Sequence, residues 1–179
     1  EINPDLVNTI RHYGVNAEPV TVKNNNIFNV IKAINPELGF VADPQEINVD
    51  ILHSLIEKEI IPVIAPMGKD AKGQFYNINA DTAAGTVANK IQAERLLLMT
   101  DVPGVNDKNG NLISKLTITE AEELIKNETI TGGMIPKIKT CISAIRSGVK
   151  GVVIIDGRKP HAVLFELFSS AGAGTLIVQ

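Results

Sequence analysis

Apolar positions along the chain fall into two kinds of run. The stretches "IIPVIAP", "RLLLMT" and "VVIID" are short and carry almost no polar interruption, which predicts strands buried on both faces. "AEPVTV", "GFVA" and "TLIV" are weaker strand signals, and "GFVA" is expected to end at Asp43-Pro44. "IFNVIKAI" is apolar without a clear period. Other segments repeat at helical spacing. Asn3-Pro4 reads as an N-cap with proline in the first turn, followed by Leu6, Val7 and Ile10 and closed by Gly14. Asn48 opens a helix bearing Ile51, Leu52, Leu55 and Ile56 on one face. Further helices are expected from Asp81 to Gln92, over "TITEAEELIKN" with a capping box from Thr119 to Glu122, over "GGMIPKIKTCISAIRSG", and over "PHAVLFELFSS". "DKNGN" is a tight turn whose Asn109-Gly110 pair is expected to take positive φ.

Strands alternating with helices predict an α/β fold. The expected form is a three-layer sandwich, with a mainly parallel sheet covered by helices on both faces. No repeat, low-complexity tract or linker interrupts the pattern, so residues 1–179 are read as one domain.

Composition changes this picture little. The 179 residues include 17 Lys+Arg and 20 Asp+Glu, with no basic block, which argues against nucleic acid as the partner. The apolar runs are strand-sized, so no membrane span is expected, and "EINPDLVNTI" lacks the basic start and apolar stretch of a signal peptide. The one cysteine, Cys141, forbids an internal disulfide and reads as a small buried hydrophobe. His12, His53 and His161 are scattered, so no metal site is expected.

Three stretches carry candidate chemistry. In an extended segment, residues two apart point the same way, so Asn77 and Asn79 of "YNINADTAAG" aim together near a helix N-terminus. Amides and free N–H groups there suit a carboxylate or phosphate. Asp81, itself negative, suits the holding of a lysine or another donor. The plainer reading is a helix cap worth about 1 kcal/mol, but a cap needs one such residue and here there are three. In "TGGMIPKIK", Pro136 belongs to a first helical turn, which puts Lys137 near the positive end of the helix. That placement costs roughly 0.3–1 kcal/mol unless an anion is bound. Gly132-Gly133 allow a ligand to come close to the backbone. A phosphate satisfies all of this, and a solvated lysine beside a turn satisfies it equally. "MTDVPGVND" leaves a strand and turns at Pro103-Gly104, as a nucleotide-cradling loop would.

Taken together, "IIPVIAPMG", "YNINADTAAG", "LLMTDVPGVND", "ISKLT", "GGMIPKIKTCISAI", "IIDGRKPHAVLFELF" and "GAGTLIV" closely resemble the acetylglutamate kinase family of the amino acid kinase superfamily. The match is dense and in order from about Ile60 to Val178. The resemblance implies ATP-dependent phosphorylation of the γ-carboxylate of N-acetyl-L-glutamate, with Mg2+ brought by the nucleotide. It makes Asn77 and Asn79 substrate-binding residues, Lys137 the lysine that neutralises the transferring phosphoryl group, and Asp81 the carboxylate that holds the catalytic lysines in place. It makes Asp101, Val102, Pro103, Gly104, Val105 and Asn106, with Thr129, Ile130 and Thr131, the ATP-binding loops. It also implies an arginine effector site at His161, Glu166 and Gly172, a homo-oligomer when complete, and a cytoplasmic setting (an organelle stroma in a plant).

The departures are as specific. The family's Lys-x-Gly-Gly phosphate loop, its glycine-rich acceptor loop and its substrate-binding arginine have no counterpart here, and "VTVKNNN" stands where "SGKDG" is usual. The resemblance therefore implies that residues 1–59 are the tail of the acetylglutamate-binding half and residues 60–179 the ATP-binding half. A chain so composed is expected to be inactive alone, whether it is a fragment or one half of a split enzyme. The rival reading is a nucleotide-binding or regulatory module that kept the fold without the chemistry.

Overall fold

A computed structural model describes residues 2–179, and the chain divides into two compact units, Glu1–Ile91 and Gln92–Gln179.

The first unit opens with helix α1 (Ile2–His12), strand β1 (Ala17–Val20) and strand β2 (Phe28–Lys32). A 3-10 turn, strand β3 (Ala42–Ile47) and helix α2 (Asp50–Glu57) follow. Strands β4 (Ile61–Ile64), β5 (Met67–Lys69) and β6 (Phe75–Asn77) then lead into helix α3 (Ala80–Lys90). β1 and β4 pair in parallel, while a second sheet has the order β3-β2-β5-β6. One core joins them: Val20, Phe28, Val30, Leu52, Tyr76, Ile78 and Ala83 are buried together, and side chains as large as Phe28 and Leu52 each contribute about 1.5–3 kcal/mol.

Four local expectations change here. Asn3 is no N-cap: α1 begins before it, and its Nδ2 donates to the Val63 carbonyl at 2.8 Å, tying the helix to β4. "GFVA" does not stop at Asp43-Pro44, because β3 runs on to Ile47. Pro44 is tolerated since β3 is an edge strand, and the pairing with β2 slips beside it, from Asn29↔Glu46 to Val30↔Pro44. α2 starts at Asp50 and leaves Ile56 exposed. "IIPVIAP" is not wholly buried: β4 pairs only with β1 and Ile61 is exposed.

The second unit contains strands β7 (Arg95–Thr100) and β8 (Lys115–Thr117), helices α4 (Ile118–Lys126) and α5 (Met134–Arg146), strand β9 (Gly151–Asp156), helix α6 (Ala162–Phe168) and strand β10 (Gly174–Val178). Its sheet has the order β7-β9-β10-β8. β7 runs parallel to β9 and β8 parallel to β10, while β10 meets β9 antiparallel. Every residue of β9 is buried. Val153 and Ile155 pack with Ala162 and Val163 of α6. Alternation turns Val152 and Ile154 to the opposite face, against which α5 packs. Helices thus cover both faces, as the α/β expectation requires. "RLLLMT" is less buried than expected, since β7 is an edge strand and Met99 is exposed.

One turn and one helix cap also differ from expectation. Only Gly110 of the Asn109-Gly110 pair has positive φ (+84°). The turn is held instead by Asp107, whose carboxylate accepts from the Asn109 and Asn111 N–H groups. Those bonds, led by Asn111, keep the Asp107 carboxyl below its usual range. The capping box is formed by Thr117 and Glu120, two residues earlier than expected. β8 ends at Thr117 in an extended conformation, so the helix must start there, and Ile118 goes directly into the core.

Candidate functional site

The residues expected on the acceptor side belong to the first unit and sit where β6 passes into α3. Tyr76 and Ile78 point into the core, so the alternating residues Asn77 and Asn79 are exposed together. β6 is held at this point by the Asn77 N–H donating to the Phe40 carbonyl at 2.9 Å, and the Ile78 N–H donating to the Pro66 carbonyl at 2.8 Å. The two asparagines then differ. Asn79 is the N-cap of α3: its Oδ1 accepts from the Thr82 N–H at 3.1 Å. The exposed Asn77 side chain has no hydrogen bond among the described residues. Its amide is therefore available to a ligand at the head of the helix. Asp81 lies in the first turn of α3, half-buried and engaged within the protein.

The residues expected on the nucleotide side belong to the second unit. Asp101–Asn106 leaves the carboxyl end of β7, where the parallel pair β7–β9 closes with Thr100 opposite Asp156. In parallel α/β sheets ligands gather beyond these strand ends. Asp101 is exposed, whereas Gly104 and Val105 are buried and anchor the loop. Gly104 has φ +145°, and a Cβ there would collide with the Thr175 hydroxyl. Thr129 is committed to Asn127, to which both its N–H and its hydroxyl donate. Ile130 is a core residue, and only Thr131 of this trio is exposed.

α5 begins after Gly132 (φ +55°) and Gly133, beside both of which an added Cβ would meet only open space. Pro136 falls in its first turn, as expected, where its missing N–H costs no hydrogen bond. Lys137 comes next, half-buried, and makes an interaction within the protein.

Two features escaped the sequence reading. The first is the pair Asp156–Arg158 at the end of β9. Asp156 is 5% exposed, and its carboxyl is held at about 2, chiefly by the Arg158 side chain and then by the Arg158 N–H. Nearby Asp101 adds to the field that raises Arg158. A buried carboxylate followed two residues on by arginine, at a strand end, was the available signal. The second is Thr175, wholly buried yet polar, and nothing in "GAGTLIV" marks it.

The effector candidates are partly assembled. Glu166 is 7% exposed; one carboxylate oxygen accepts from the Ala173 N–H at 2.9 Å, and the other pairs with Arg95 at 3.4 Å. Gly172, with φ +68°, lies against the same carboxylate. Glu166 is thus a buried, bonded carboxylate and not a solvated helix residue. A pocket of about 360 Å3 contains Arg95, Lys115, Glu166, Ser170 and Gly172. His161 does not line it; it is exposed and precedes α6 with φ +61°. Among the described residues no group of acidic, histidine or cysteine side chains could hold a metal ion, and no helix is long and apolar enough to cross a membrane.

Comparison with known proteins places this geometry. The chain is 48% identical over 98% of its length to acetylglutamate kinase of Rhodopseudomonas palustris (strain TIE-1), and 49% identical over 99% to that of Bartonella henselae. It spans only 63% of the length of each of these relatives. A protein of Streptococcus mutans superposes with TM-score 0.81 at 30% identity, covering 99% of this chain and 66% of that one. N-acetylglutamate synthase of Neisseria gonorrhoeae, solved with coenzyme A and L-arginine, shares the fold: TM-score 0.82 at 23% identity, over 92% of this chain and 38% of that one. The family model for the amino acid kinase family matches residues 1–156, and the chain belongs to that family.

Proposed function

We propose that the chain is the greater part of an acetylglutamate kinase, which transfers the γ-phosphoryl group of ATP to the γ-carboxylate of N-acetyl-L-glutamate in arginine synthesis. The likeness to curated acetylglutamate kinases carries this reading, because it runs through both units. The geometry supports it on each side separately. Asn77 offers an unsatisfied amide at a helix N-terminus to an acidic acceptor. The 101–106 loop and the head of α5, with Lys137, offer backbone donors and an ammonium to a polyanion. Asp81 keeps cations in place. The acceptor side draws on the first unit, Glu1–Ile91, and the nucleotide side on the second, Gln92–Gln179.

Phosphoryl transfer needs positioning and charge neutralisation more than covalent chemistry. Mg2+ arrives on the nucleotide, whose phosphates and bound waters serve as its ligands. Glu166, buried beside Gly172 and facing a pocket, supports an arginine-binding role there, because a carboxylate pairs well with a guanidinium. A homo-oligomer in the cytoplasm is the setting that goes with this function.

Calorimetric titration with MgATP and MgADP tests the proposal. This chain should bind MgATP weakly, and without the Lys-x-Gly-Gly loop it should release no ADP when acetylglutamate is added. Lys137→Ala should abolish the preference for ATP over ADP, because an ammonium aimed at the transferring group acts on the γ-phosphate. Absence of nucleotide binding would sink the nucleotide assignment, and turnover by the isolated chain would sink its inactivity.

A further inference from the structure

The geometry points to Thr175 as a positioning residue for nucleotide binding: its buried hydroxyl sets the shape of the 101–106 loop. The inference rests on the reading of that loop as the nucleotide loop.

Val105 and Ile113 face each other across the two arms of the segment closed by the Asp107 turn. In an antiparallel pair such residues exchange two hydrogen bonds. Only one is direct, the Ile113 N–H donating to the Val105 carbonyl at 2.8 Å. The second runs through Thr175. The Val105 N–H donates to Oγ1 at 2.8 Å, and the hydroxyl donates onward to the Ile113 carbonyl at 2.7 Å. One oxygen from β10 is thus inserted into the rung and holds the arms apart by its own width. Just below it, the Leu176 N–H donates to the Ser114 carbonyl at 2.9 Å, so the hydroxyl continues the attachment of this segment to β10.

The surroundings are shaped for that oxygen. Gly104, with φ +145°, has no side chain, and a Cβ on it would collide with the hydroxyl. On the other side Gly174 lies against the Ile154 carbonyl, so β10 cannot shift away without breaking its pairing with β9. Val105 and Thr175 are both buried, so water cannot replace the hydroxyl. Without it, the Val105 N–H and Ile113 carbonyl stay unsatisfied, or the arms close directly and drag residues 101–106 with them. Either outcome moves the backbone proposed to hold the nucleotide.

Thr175→Val, of nearly the same shape, tests this through MgATP affinity measured alongside urea unfolding. The dissociation constant should rise by about tenfold as residues 101–106 leave the shape that fits the nucleotide. Amide exchange at Val105 should quicken. Thr175→Ser restores the hydroxyl and should bind within about twofold of the parent, since no hydrogen bond is lost. Ile145→Val, a core change on α5, should lower stability without altering affinity. If Thr175→Val does not fold, Gly104→Ala, which drives a methyl onto the hydroxyl, should show the same loss. Unchanged affinity in the folded Thr175→Val or in Gly104→Ala overturns the inference and leaves the nucleotide reading intact. A serine variant as weak as valine, or an equal loss in Ile145→Val, overturns it too. A parent chain that binds no MgATP overturns both.

Discussion

The carboxylate of Asp156 holds the guanidinium of Arg158 through two hydrogen bonds of 3.0 Å, from Nε to Oδ1 and from a terminal nitrogen to Oδ2. The Arg158 N–H donates to Oδ1 as well, also at 3.0 Å. These bonds depress the Asp156 carboxyl from 3.8 to about 2. A carboxyl lowered on folding stabilises the fold fully above its unfolded value, and the stabilisation fades as pH falls through the folded value. The urea midpoint of the parent should therefore exceed that of Asp156→Asn at neutral pH, and the gap should close as pH falls from about 4 to 2. A gap that persists unchanged to pH 2 contradicts the account.

Asn77 and Asn79 should separate in two measurements. Asn79→Ala removes the cap of α3 and should cost about 1 kcal/mol in urea unfolding. Asn77→Ala removes no bond described within the protein, so stability should hold. Acetylglutamate affinity should fall for Asn77→Ala. Equal stability losses would show that Asn77 is structural.

The register of the capping box is checked by two threonines. Thr117→Ala should destabilise by about 1 kcal/mol, because the Glu120 N–H loses its acceptor and the Glu120 carboxylate keeps only the Thr117 N–H. Thr119→Ala, on the exposed face, should stay within about 0.5 kcal/mol of the parent. The reverse order would restore the box to Thr119 and Glu122.

Glu166 and Arg95 make an asymmetric pair. Glu166→Ala strands the Ala173 N–H and should cost about 1–3 kcal/mol. Arg95, with its side chain 43% exposed and 3.4 Å away, should cost less than about 1 kcal/mol when replaced by alanine. An incoming free arginine must displace Arg95 from that carboxylate. Arg95→Ala should therefore tighten arginine binding and Glu166→Ala should eliminate it, as read by calorimetry. Equal arginine affinity in all three proteins would remove Glu166 from the site.

The sequence by itself determined most of the elements and their order, but it left β2 undecided and missed the short strands β5 and β8. Uninterrupted apolar runs such as "VVIID" and helical stripes such as that of α5 depend on local periodicity, and periodicity survives any arrangement in space. It also placed Asn77 and Asn79 on one side of an extended segment, since that follows from alternation alone. The charge at a helix start singled out Lys137 and the turn after a strand singled out the 101–106 loop, and motif likeness supplied their expected roles. Tertiary structure decided what depends on neighbours. Pro44 stays within a strand because β3 is an edge, and Ile61 and Met99 are exposed because their strands lack neighbours on one side. Two Thr-x-x-Glu patterns overlap between Thr117 and Glu122, and only the end of β8 selects between them. Thr175 was invisible for the same reason: its hydroxyl acts on Val105 and Ile113, 70 and 62 residues away along the chain, a distance that local pattern does not register.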